Sequence, residues 1–295
     1  VLGDIITPGT TGIVVGDHDK VTIKNGVVRG FGIGIASSFG EGLKIQNVEA
    51  RSNDLFGAAL GGSGIVVTKS VFVFNSETGL FFFDATTAPK VSQSFFAANG
   101  HDGLVSRAPG TALTKITATT NGSSGIVLEN AGSGTVSGSL VAANAENGIS
   151  VRGAFAPVKL TKNVVVGNEM DGIGSVTNGT GLTIASNLAG GNGQHGIHIG
   201  PSATNAVTKN ALLGNGSDGL LVEATAVSNQ VAANVATGNG NRGVAVSTPA
   251  STLAKNTARA NLAIGITAAP GTIDGGGNAA RDNAGVAQCT NIACN

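Results

Sequence analysis

A glycine recurs every 22 to 24 residues along this chain, at Gly12, Gly34, Gly57, Gly79, Gly103, Gly125, Gly148, Gly172, Gly196, Gly219, Gly243 and Gly265. It is followed by Ile, Leu or Val at most of these places. Ten of the twelve carry an Asn four residues earlier, from Asn53 and Asn75 through Asn239 and Asn261. A fixed period in this range is the signature of a solenoid, in which each unit contacts only its neighbours. The period also removes the usual inference from 295 residues to two ordinary domains.

A unit of about 23 residues is too short for a helical hairpin repeat. Val, Ile, Thr and Phe are frequent, and they occur in short clusters separated by Gly, Asn and Ser, which suits strands and corners. The unit ending at Gly219 shows the pattern: Ala206-Val207-Thr208-Lys209, Asn210-Ala211-Leu212-Leu213, Asn215-Gly216-Ser217-Asp218, then Gly219-Leu220-Leu221-Val222. Three short strands and three corners per turn give a parallel β-helix with coils about 4.8 Å apart. Stacked corner asparagines can then bond along the axis, because an amide both donates and accepts. The glycine is expected to hold a backbone shape that a β-carbon disfavours.

The chain resembles the right-handed parallel β-helix proteins of the pectate-lyase-like superfamily, above all the secreted NosD-like proteins. The resemblance rests on Val21-Thr22-Ile23-Lys24-Asn25-Gly26, on the Asn-x-x-x-Gly-Ile units, and on the tail Ile273-Asp274-Gly275-Gly276-Gly277-Asn278 with its two cysteines. It implies an all-β, single-stranded right-handed solenoid of about twelve coils. It also implies polysaccharide as the substrate class, since many members bind, cleave or epimerise it while others are fibres, adhesins or tailspikes. Fold alone does not select among these.

Composition narrows the functional classes. Lys+Arg equals Asp+Glu and charged residues are only 12%, so no basic field exists for nucleic acid. No apolar run reaches the roughly 18–20 residues of a membrane span. Cys289 and Cys294 are the only cysteines. They read as a disulfide that ties down the end of the chain, and hence as a sign of a secreted or cell-surface protein. Residues 1–271 form the solenoid in this reading, and 272–295 a cap belonging to the same domain.

Equivalent positions in successive coils form rows. Ten residues before the marker glycine lies a lysine in every second coil: Lys24, Lys69, Lys115, Lys162, Lys209 and Lys255. Skipping a coil sets them about 9–10 Å apart, near the screening length at physiological salt, which suits either a soluble edge or a track for an acidic polysaccharide. The residue just before the glycine reads Asp102, Ser124, Asn147, Asp171, His195, Asp218 and Arg242. His195 between two aspartates is a candidate acid/base with a raised pKa, with Asp171 and Asp218 as orienters or calcium ligands. Glu169 and His198 lie close by. A third row, four places after the glycine, carries Arg107, Glu129 and Arg152. Arg152 is its candidate for stabilising charge. The bland alternative for both rows is a ladder of alternating charge that steadies coil stacking.

Seven of eleven phenylalanines fall between Phe72 and Phe96. Strand alternation with Leu80 and Phe82 inward puts Phe81 and Phe83 outward, with Val105 and Val127 continuing the outer row. Such a strip fits a contact between copies of the chain, as do the open rod ends. Two functions of different class follow. One is a polysaccharide-associated protein, a lyase or hydrolase using His195, Asp171, Asp218 and Arg152, with Lys115, Lys162, Lys209, His198 and Glu169 on substrate. The other is a non-catalytic structural or adhesive rod assembled through Phe81 and Phe83.

Overall fold

A computed structural model describes residues 9–130, 133–153, 157–176, 181–201, 204–226 and 228–295. Every regular element in them is a β-strand, and all strand pairings are parallel. The strands stack as a solenoid of about twelve turns, as the glycine period predicts. No helix among the described residues is long and apolar enough to cross a membrane. The chain falls into two compact units, Val1–Glu146 and Asn147–Asn295.

In the first unit the strands that follow the marker glycines are Thr11–Gly16, Ile33–Ser37, Phe56–Leu60, Leu80–Phe82, Leu104–Ser106 and Ile126–Glu129. Their register places Ile13, Ile35, Ala58, Leu80, Leu104 and Ile126 in one column. From Ile35 onward that column is fully buried. Phe72 and Phe96 form another inward column, with rings stacked at 5.2 Å. Each such side chain gains about 1.5–3 kcal/mol from burial.

In the second unit the corresponding strands are Ile149–Arg152, Ile173–Val176, Ile197–Ile199, Leu220–Val222, Val244–Val246, Ile266–Ala268 and Cys289–Thr290. Here the inward column is Ile149, Ile173, Ile197, Leu220, Val244 and Ile266. The segment from residue 272 continues the winding. Ile273–Asp274 pairs with Thr252 and Leu253, Ala279–Arg281 with Thr257–Arg259, and Cys289–Thr290 with Ile266 and Thr267. The Cys289–Cys294 disulfide follows directly, and Asp274 Oδ2 accepts the Ala293 N–H at 3.1 Å.

The asparagine ladder is present in both units. Asn53, Asn75, Asn99, Asn121 and Asn144 link side chain to side chain, each at 2.9 Å. Asn168, Asn192, Asn215, Asn239, Asn261 and Asn283 do the same at 2.8–2.9 Å. Gln288 Oε1 accepts from Asn283 at 2.8 Å and ends the row. A second ladder, which the glycine period does not reveal, links Asn163, Asn187, Asn210, Asn234, Asn256 and Asn278 at 3.0–3.1 Å. In the first unit Ser70, Ser94 and Ser139 accept backbone N–H groups at that corner instead.

The marker glycines have a different cause from the one expected. None of them has a positive φ. A β-carbon on Gly219 would lie 2.6 Å from the Gly243 carbonyl oxygen and 2.8 Å from Asn239 Nδ2. Close approach between coils, rather than backbone shape, excludes a side chain. The left-handed residues lie elsewhere, in two rows: Phe74, Ala98, Thr120, Ala143 and Ala260, five residues before the glycine, have φ between 51° and 56°, and in the lysine row Lys69, Lys115, Lys162, Lys209 and Lys255 have φ between 50° and 57°. Lys24 does not belong to that row. It pairs with Gln46, while Asn25 meets Asn47, because this first coil is one residue shorter between corner and glycine.

Candidate functional site

The row before the marker glycines works first as a corner ladder. At five of its places the N–H is accepted by a side chain of the preceding coil. In the second unit Asn147 Oδ1 accepts from Asp171 N–H at 3.0 Å, and Asp171 Oδ1 from His195 N–H at 3.0 Å. His195 Nδ1 accepts from Asp218 N–H at 3.2 Å, and Asp218 Oδ1 from Arg242 N–H at 2.9 Å. Asp102 Oδ1 serves Ser124 N–H in the same way in the first unit, at 2.9 Å. This row therefore meets coil to coil from Asn147 to Arg242.

His195 and His198 end up in opposite states. A backbone N–H can only donate, so its bond to His195 Nδ1 fixes the proton on Nε2 and leaves the ring neutral. Asp218 Oδ2 stands further off, at 3.7 Å from the same nitrogen. Burial pushes the His195 pKa below its ordinary value, against the pull of Asp171 and Asp218. The raised pKa expected for this residue belongs to His198 instead. His198 Nδ1 lies 3.1 Å from Asp171 Oδ2, and Nε2 lies 3.0 Å from Glu223 Oε1. The Asp171 hydrogen bond is the largest influence and Glu223 adds to it, so the imidazolium is favoured despite burial. The two rings sit 5.1 Å apart, centre to centre.

Local sequence explains how His198 spans three coils. Its neighbour in the preceding strand is Gly174, which offers no side chain, so the imidazole can lean back across it to Asp171. On the other side, Glu223 follows the strand Leu220–Val222, in which Leu221 lies beside His198. Arg242 completes the cluster with a two-pronged bond to Asp218, Nε to Oδ1 at 3.0 Å and Nη2 to Oδ2 at 2.8 Å. Asp171 and Asp218 are buried, and Glu223 is the open member.

Other expected site residues lie apart. The arginine on this cluster is Arg242. Arg152 ends the strand Ile149–Arg152 and donates from Nε to Ser150 Oγ at 3.0 Å. Glu169 is exposed at the corner before Asp171. In the second unit Lys162 and Lys209 are exposed at a left-handed corner, which is separated from the histidine face by an intervening strand such as Ala211–Leu213, and Lys115 is exposed at the equivalent corner of the first unit. Calcium does not fit Asp171 and Asp218: their oxygens are taken by backbone N–H groups, His198 and Arg242. Among the described residues no group of three or more His, Cys, Asp or Glu is arranged to hold a metal. An open hollow of about 410 Å³ in the first unit, lined by Asn25, Asn47, Glu49 and Lys69, contains no histidine.

In the phenylalanine region Leu80 and Phe82 are buried and Phe83 is 43% exposed. Phe81 is half-buried, packs on Phe83 at 5.1 Å, and carries the Arg107 guanidinium 5.2 Å above its ring. Val105 and Val127 share the Phe81 column but are buried. The outer strip does not extend to them as expected; Arg107, which covers Phe81, is paired with Glu129 at 2.8 Å.

Sequence and structure comparisons agree on the architecture. The model of the family described as "Right handed beta helix region" matches residues 4–114, 31–189 and 106–262. No curated protein matches the sequence. Among solved structures, pectate lyase Pel9A is similar with a TM-score of 0.55 and 20% identity, over 66% of this chain and 55% of that one. The chain thus spans little more than half of that lyase. The periplasmic alginate epimerase AlgG is similar with a TM-score of 0.53 and 14% identity, over 84% and 75% of the two chains. The Dettilon tailspike protein is similar with a TM-score of 0.51 and 15% identity, over 94% and 60%.

Proposed function

The chain belongs to the right-handed β-helix family, and from that premise we propose that it is an extracellular polysaccharide-associated protein whose working site is the His195–His198 cluster. The observation that carries this reading is the pair of adjacent histidines with opposite proton states. Groups whose surroundings push their pKa values apart mark acid and base assignments. His195, held neutral, presents Nε2–H, which has no partner among the described residues, as a hydrogen-bond donor that polarises a substrate oxygen, and the imidazolium of His198 is the ring with a proton to give. His198 with Asp171 and Glu223 supplies the charged side of the site, and Arg242 takes the stabilising role assigned to Arg152. Lyase or glycoside hydrolase chemistry on a bound glycan is the activity this arrangement suits. The disulfide supports an oxidising, extracytoplasmic setting. The exposed lysines at the other corner, Lys115, Lys162 and Lys209, are read as a separate contact for an acidic polysaccharide.

The test is cleavage. The protein is incubated with acidic and neutral polysaccharides, with and without calcium, and new reducing ends and the ultraviolet absorbance of unsaturated uronates are followed. His195→Ala is expected to lower turnover by about 10²–10³-fold, the usual worth of one preorganised hydrogen-bond donor to a developing charge, with the β-sheet circular dichroism unchanged. Absence of cleavage across the panel moves the reading to a non-catalytic structural or adhesive rod, with Phe81 and Phe83 as its contact to a second copy.

A further inference from the structure

The charge in the histidine cluster does not balance. Three carboxylates, Asp171, Asp218 and Glu223, face two cations, His198 and Arg242. His195 adds no charge, since its Nδ1 receives the Asp218 N–H. The cluster therefore carries one net negative charge. Both cations are already engaged: His198 has a carboxylate on each ring nitrogen, and Arg242 grips both oxygens of Asp218. The groups that face outward are the Glu223 carboxylate, with a side chain 42% exposed, and the His195 Nε2–H. One accepts hydrogen bonds and the other donates a single one.

Building on the glycan reading, and on its hydrolase branch rather than its lyase branch, we propose that this cluster recognises an uncharged, hydroxyl-rich stretch of polysaccharide and discriminates against uronates. A sugar hydroxyl donates to Glu223 and a ring or hydroxyl oxygen accepts from His195 Nε2. A uronate carboxylate in the same place meets Glu223 as a like charge, with no unpaired cation to offset it. Acidic sugars have only the lysine corner, on a different edge of the coil.

The experiment is isothermal titration calorimetry of the intact protein with neutral xylan, mannan and galactan oligosaccharides and with polygalacturonate and alginate oligosaccharides, at low salt. Three proteins are compared: the unaltered chain, Glu223→Gln, and Lys162→Ser with Lys209→Ser. Expected is binding of at least one neutral oligosaccharide at least tenfold tighter than the uronates. Glu223→Gln is expected to weaken it about tenfold or more, the worth of one hydrogen bond to a charged group, and the lysine variant to leave it unchanged. Tighter uronate binding that changes with Glu223→Gln overturns the proposal and keeps the glycan reading. Uronate binding lost only in the lysine variant, with no neutral binding, does the same. No binding of either kind overturns both.

Discussion

At the scale of single residues, the two histidines give opposite contributions to stability. His198 has a raised pKa in the folded chain, so its contribution is fully present below the unfolded value near 6.5 and is lost as pH rises through the raised one. His195 has a lowered pKa, so its contribution is present above about 6.5 and is lost as pH falls toward the lowered one. Thermal melts across pH should separate them. His198→Gln is expected to flatten the acid side, removing stability below about pH 6.5 and leaving the alkaline end little changed. His195→Gln, whose amide oxygen can still accept the Asp218 N–H, is expected to stabilise the chain relative to the parent only at acid pH. Parallel pH profiles for parent and both variants would remove the assignment of proton states. The sequence showed His195 because it stands in a row with Asp171 and Asp218. It did not show the role of His198, whose partner Asp171 lies 27 residues back. That contact runs diagonally, one coil back plus three positions, and reading rows one column at a time misses diagonals. Glu223 was within reach, since it stands four places after Gly219 in the row already traced through Arg107, Glu129 and Arg152.

At the scale of the coil, the period specified the strands and one ladder directly, because stacking repeats every requirement at the same place. The second ladder was hidden by substitution: serine serves that corner in the first unit and asparagine only in the second. The reason for the marker glycine was also hidden, since a forbidden β-carbon and a left-handed backbone both select glycine. The left-handed backbone belongs to two other rows, the lysines ten residues earlier and the corner five residues earlier. The ladder makes a quantitative claim. Asn215 accepts from Asn192 N–H at 3.1 Å and from Asn192 Nδ2 at 2.9 Å, and all of these groups are buried. Asn215→Ala leaves the Asn192 N–H without an acceptor and Asn192 Nδ2 with only the Val165 carbonyl, at about 1–3 kcal/mol for the orphaned N–H. Urea melts should show a loss of about 1–3 kcal/mol. Thr208→Ala, on the outward side of a strand, is expected to stay within about 0.5 kcal/mol. Equal effects from the two changes would mean that the ladder follows from the fold without stabilising it.

At the scale of the whole molecule, a solenoid is held by nearest-neighbour contacts, so its weakest place is an end. The final coil of the second unit has a neighbour on one side only. Its strands Ala279–Arg281 and Cys289–Thr290 each pair with one earlier strand, and Gln288 closes the ladder below them. The disulfide bridges residues five apart, a small loop whose closure contributes about 2 kcal/mol by the chain-entropy relation. That is a modest sum for the chain but a large one for a single terminal coil. The Asn295 N–H to Asn278 carbonyl bond at 3.0 Å depends on the same tether, because Cys294 positions the last residue. Cys289→Ser with Cys294→Ser should therefore act locally. Hydrogen exchange is expected to quicken at Ala279–Arg281 and Cys289–Thr290 while Leu220–Val222, three coils inward, keeps its protection. If protection fell equally in both places, the solenoid would be unfolding as one cooperative body, and the disulfide would be stabilising all of it rather than its final turn.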